Sequence, residues 1–130
     1  MTKKYFKLFE VVSDGASRIF NLPTGDILKN SKVTAVEAYT SGSFATKGTN
    51  QQTTANLADC YLKLVNQNGE TMIDNVPLKR IDPINNNGQP WPVQIDNLNP
   101  SDCQIVVGAA GVPASGQVFQ IGFYYEKNYC

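Results

Sequence analysis

Along several stretches of this 130-residue chain apolar and polar side chains alternate one for one, and Gly, Pro, Asn and Asp interrupt the alternation at short intervals. A period of two is the period of a β-strand, whose successive side chains point to opposite faces. No segment of ordinary helical length carries the 3.6-residue apolar stripe that a helix needs. Only residues 50–57 have the makings of a single helical turn. The pattern restricts the chain to a small all-β scaffold, and the length to one domain with one core.

The clearest alternation runs over 32–40, with Val33, Ala35, Glu37 and Tyr39 on one side and Thr34, Val36 and Ala38 on the other. A hairpin is predicted over 59–74, because Asn66-Gln67-Asn68-Gly69 lies between two strand-like arms and Asn-Gly supplies the positive φ of a tight turn. In its first arm Cys60, Leu62 and Leu64 share the face expected to meet the core. Residues 117–127 put Phe119, Ile121, Phe123 and Tyr125 on one face and Val118, Gln120, Gly122 and Tyr124 on the other. Aromatic residues on both sides predict a central strand covered on both faces. Shorter strands are expected over 5–12, 17–22, 93–96 and 103–108. An edge strand is expected over 76–81, since Pro77 has no amide hydrogen for a central ladder. Long loops over 41–56, 82–92 and 108–116 separate these elements. About eight strands whose connections are too long for a meander predict an antiparallel two-sheet sandwich, a single jelly roll. An immunoglobulin-like sandwich is the nearest competitor, and the position of Trp91 so far beyond Cys60 argues against it.

Composition matters where function is at issue. The chain has no histidine, and its eleven basic and eleven acidic residues balance. Without histidine the usual nucleophile–base triad cannot be assembled in one chain, and Ser31 and Lys32 are neighbours whose side chains point apart in a strand. The chain is therefore expected not to be an enzyme and to need no cofactor. Neutral charge also argues against a dedicated nucleic-acid binder, whose affinity comes from phosphate neutralisation. Lys3, Lys4 and Lys7, and the pair Lys79-Arg80, are only small basic clusters. No run approaches the roughly 18 apolar residues of a membrane-spanning helix. Lys7 and Glu10 interrupt the apolar start, so the N-terminus reads as a strand of the mature protein, made in the cytoplasm. Cys60, Cys103 and Cys130 are odd in number and far apart. They read as free thiols of a reducing compartment, with a Cys60–Cys103 bridge left open.

Three further constellations carry candidate chemistry. Asp59 and Asp74, facing across the hairpin, or Glu37 on its strand, have the chemistry of glycoside hydrolysis, yet solvent-facing charges on a sheet explain them as well. Asp82 with Asn85, Asn86 and Asn87, and Asp96 with Asn99 and Asp102, offer oxygen ligands for calcium, but such runs form turns without an ion. Trp91, held between Pro90 and Pro92, is the best ligand candidate. With Tyr39, Tyr61, Tyr124 or Tyr129 nearby it would stack on a sugar, the alternative being that it plugs the sandwich or packs on a neighbouring subunit.

The missing catalytic set, the few cysteines, the Asn-, Gln- and Thr-rich loops and the eight or so strands together resemble the small single jelly-roll proteins of virions, in particular the vertex (penton) and minor capsid proteins of bacteriophages. The resemblance spans the whole chain in style and rests on no short motif. It implies a structural virion protein, made in the host cytoplasm, that acts by assembly. Its partners would be copies of itself, as in a pentameric ring, and other capsid proteins. Candidate assembly contacts are Lys3, Lys4, Phe44, Trp91 and Tyr129, with the loops 41–56, 82–92 and 108–116. The alternative function is a carbohydrate-binding or adhesin-like β-sandwich module with Trp91 as its platform.

Overall fold

The computed structural model of the chain describes residues 2–23, 28, 30–38, 60–108, 115 and 118–128. They form eight strands: β1 (Thr2–Val12), β2 (Ile19–Asn21), β3 (Lys32–Ala38), β4 (Cys60–Val65), β5 (Thr71–Pro77), β6 (Trp91–Asp96), β7 (Gln104–Val107) and β8 (Val118–Asn128). One sheet has the order β1-β8-β3-β6 and the other β2-β7-β4-β5, with every pairing antiparallel. The fold is an all-β antiparallel sandwich.

Alternation explains the core. From β8, Phe119, Ile121, Phe123 and Tyr125 point inward and are buried, as are Phe9 and Val11 from β1. Cys60, Leu62 and Leu64 of β4 and Ile105 and Val107 of β7 line the opposing layer. β8 is central, between β1 and β3, and its outward residues Val118, Gln120 and Gly122 are buried as well.

Strand β3 departs from simple alternation. Its register against both neighbours shifts between Val33 and Ala35, so Thr34 is an extra residue of the bulge kind. The parity flips there: Val33, Val36 and Ala38 all reach the core, while Ala35 and Glu37 stand on the outer face opposite Tyr124 and Gly122. Tyr39 lies outside the described residues.

The edge strand expected over 76–81 stops at Pro77. Leu78–Ile81 is a 3-10 turn, whose period of three sends Leu78 and Ile81 into the core and leaves Lys79 and Arg80 exposed. Strand β6 begins earlier than expected, at Trp91. The hairpin turn is closed by Asn66, whose side-chain oxygen accepts from the amides of Asn68 and Glu70, both at 3.0 Å, with Gly69 at φ 80°.

The turns at one end of the strands are tied by backbone hydrogen bonds. The Asn97 amide donates to Ser31, Gln67 to Asn97, Asn99 to Val65 and Leu22 to Cys103, at 2.8–3.0 Å. At the other end Arg18 Nη1 donates to the Gly108 carbonyl at 2.6 Å. There the chain leaves β3 at Ala38 and returns in β4 at Cys60. Cys60 and Cys103 are both buried, and neither forms a disulfide. Cys60 lies opposite Val107, four residues from Cys103, which corresponds to about 13 Å at strand rise. That exceeds the span of a disulfide.

Candidate functional site

The outer face of the first sheet is built of rows that cross its strands. At the tied end, Lys4 pairs with Glu126, Glu126 with Lys32, and Lys32 with Asp96. Four residues from four strands thus make a row of alternating charge, plus, minus, plus, minus. Directly opposed positions bring Cβ atoms to about 5 Å, and each opposite-charge pair contributes roughly 0.2–1 kcal/mol. The row neutralises itself and borders three open hollows. The largest, about 860 Å³, is lined by Lys4, Asn30, Ser31, Lys32, Asp96, Asn97 and Glu126. Two of about 430 Å³ continue along Thr34, Pro92 and Gln94 and along Thr34, Pro90 and Tyr124.

The next row is aromatic and apolar: Phe6, Tyr124, Ala35 and Pro92. The rings of Phe6 and Tyr124 meet at 4.8 Å with a 53° tilt. The edge of the Phe6 ring occupies the space above Gly122, and a Cβ there would stand 2.6 Å from its Cε1 and Cζ. The Tyr124 hydroxyl donates to Glu37 Oε1 at 3.1 Å. Desolvation, and then the Glu37 carboxylate, raise the pKa of the Tyr124 phenol. Gln120 Nε2 donates to Glu10 Oε2 at 3.4 Å.

Of the contact residues expected from sequence, Lys4 belongs to the charged row and Lys3 is exposed on the opposite side of β1. Trp91 lies on the core side of β6, opposite Val36 and packed against the core, with the Arg80 guanidinium 5.3 Å from its ring centre. Lys4 and Trp91 are therefore on different sides of the sheet. Phe44 and Tyr129 lie outside the described residues, as do the loop 41–56 and most of 108–116.

The other constellations are used locally. The Ser31 hydroxyl donates to the Leu28 carbonyl at 2.5 Å. Asn85 Nδ2 donates to the Lys79 carbonyl, Asn86 Nδ2 to Gln89 and Pro90, and Asn99 Nδ2 to Asp102. Asn87 and Asn97 adopt φ 56°, the turn conformation that Asn tolerates. Glu37 is buried, Asp74 is exposed on β5, and Asp59 is outside the described residues. Among the described residues no three His, Cys, Asp or Glu side chains come together as metal ligands would.

The charged row has no trace as a sequence motif. Lys4, Lys32, Asp96 and Glu126 are joined only by strand register, and the one local signal is a charge near the end of each strand. What this face offers is a surface of charged, polar and aromatic residues with open hollows between them. Comparison with known proteins gave no matching family model, no matching curated protein and no matching solved structure.

Proposed function

We propose that the protein is a structural subunit of a virion, a capsid vertex (penton) or minor capsid component that acts by oligomeric assembly. The observation that carries this reading is the strand order. β1-β8-β3-β6 packed on β2-β7-β4-β5 matches what two Greek keys rolled together would produce, and it supports reading the sandwich as a jelly roll. That architecture serves viral capsids, and also lectins and cupins. Assembly is accordingly the property to measure.

The test is the native mass of the purified protein across a concentration series, by sedimentation velocity with reductant present. A closed pentamer is expected. A trimer would move the role to a decoration or fibre subunit, and a monomer at every concentration would overturn self-assembly. The carbohydrate-binding alternative draws less support, because Trp91 packs on the core and Arg80 stands over its ring. Glycan binding that disappears in a folded Trp91→Ala variant would restore it.

A further inference from the structure

The outermost strand of a sheet can pair with a further strand, and chains blunt such edges with proline, bulges or very short strands. Three of the four edge strands here are blunted. β6 carries Pro92. β5 shifts register twice against β4, holds Asn75 at φ 58° and ends in Pro77, and β2 has only three residues. β1 is different. Its eleven residues include no proline or glycine, its register against β8 is unbroken from Thr2 to Val12, and among the described residues no strand lies along its other side. A strand of that length added there would exchange on the order of ten backbone hydrogen bonds, as many as a protein–protein interface of standard size carries.

The lysines of β1, Lys3, Lys4 and Lys7, restrict the edge to a strand that answers their charge, and the charged row decides which. That row runs from Asp96 through Lys32 and Glu126 to Lys4. It ends on a positive charge at the open edge, where an acid continues the alternation. The one acid in β1 is Glu10, on the same side of the strand as Lys4, with Phe6 and Leu8 between them. An antiparallel β1 of a second copy that sets its Glu10 opposite Lys4 sets its own Lys4 opposite Glu10, by the same two-fold axis. Phe6 then meets Leu8 twice, and Tyr5 keeps its stack on Tyr125. Lys7 meets Lys7 on the axis, one like-charge pair against two opposite-charge pairs. Each Lys7 ammonium leans over the Phe9 ring of its own strand at 5.8 Å, so the two charges diverge in opposite directions.

We infer that β1 pairs antiparallel with β1 of a second copy of this chain about a two-fold axis at Lys7, with Lys4 opposite Glu10 of the second copy. Two four-stranded sheets thereby become one continuous sheet. The contact is isologous and goes beyond the ring reading: alone it gives a dimer, and where a pentameric ring closes through other surfaces it joins ring to ring.

Lys4→Glu and Glu10→Lys test it, each checked for folding by circular dichroism and the thermal midpoint. In either variant both cross-copy pairs become like-charged, and the dissociation constant of the pair in sedimentation velocity is expected to rise roughly ten- to a hundredfold. Mixed one to one, each variant meets opposite charge at both positions of the other, and pairing is expected to return as a heterodimer. Lys7→Cys in a Cys130→Ser background reads the register without relying on charge. Its two thiols would meet on the axis within the span of a disulfide, and oxidation is expected to give a covalent dimer, whereas Lys3→Cys, placed opposite Val11, is expected to give none. A wild type that never pairs, whether monomer or lone pentameric ring, would overturn the β1 contact, and the lone ring would leave the ring reading intact. Variants that associate as the wild type does, a mixture that pairs no better than its components, or Lys7→Cys without a covalent dimer would overturn it as well.

Discussion

Two ionisable side chains show how local geometry sets chemistry. Asp14 follows β1, and its carboxylate accepts from the Ala16 and Ser17 amides at 2.8 and 2.7 Å and from the Ser17 hydroxyl at 2.5 Å. The Ser17 hydroxyl, then the two amides, hold its pKa down at about 2. A carboxyl depressed in the folded state stabilises above its unfolded value of about 3.9, and that contribution is lost as the pH falls through the folded value. Carboxyl NMR titration should find Asp14 well below the other acids, and Ser17→Ala should move it up towards the ordinary range. An unchanged value in that variant would remove the hydroxyl from the account. Cys103 shows the opposite case. Burial pushes its thiol up to about 11, and its sulfur lies 3.2 Å from the Asn99 carbonyl. Stability from the neutral thiol is complete below the unfolded value of about 8.5 and declines as the pH rises through the folded one. Iodoacetamide at pH 8 should alkylate Cys103 slowly in the native protein and readily in urea, read peptide by peptide by mass spectrometry. Equal rates would contradict its burial.

Among the elements, β8 joins local pattern to long-range packing. Gly122 leaves a gap in its outer face that the Phe6 ring fills from β1. Gly122→Ala places a methyl group where the ring now stands, and overpacking of this kind costs about 1–2 kcal/mol. The Phe6 ring is partly exposed and can yield, which keeps the expected loss near the lower figure. Urea unfolding should show that loss in the otherwise native chain and little of it in a Phe6→Ala background, the coupling expected of two groups in contact. Equal costs in both backgrounds would mean that the ring is not what the methyl meets. This contact was not legible in the sequence, although β8 itself was, because alternation reports which face a residue takes and not which strand lies beside it. The bulge at Thr34 marks a second limit. Period two predicted a strand over 32–40, but the extra residue reverses the faces beyond it. Only the ladder against β6 and β8 reveals the shift. At 76–81 an edge strand was expected, but beyond Pro77 the apolar spacing of Leu78 and Ile81 is that of the 3-10 turn that forms.

For the whole molecule, the pairing of β1 with β8 joins residues near the two ends of the sequence, Thr2 with Asn128. Loop-closure entropy must be met before such contacts stabilise anything, so an all-β sandwich of this order folds in about milliseconds to seconds. Stopped-flow refolding followed by the fluorescence of Trp91, the single tryptophan, should fall in that range. Microsecond refolding would show that the native pairings are not what limits the rate. The alternating pattern and the turn residues by themselves determined an all-β chain, most of its strands, and the inward faces of β4 and β8. These are local properties, set by side-chain period and backbone preference. The tertiary structure decided the order of the strands, the separation of Cys60 from Cys103, the side of the sheet that Trp91 takes, and the two rows that give the outer face of the first sheet its character. Those depend on register between segments up to a chain length apart, where a shift of one residue moves every side chain to the other face.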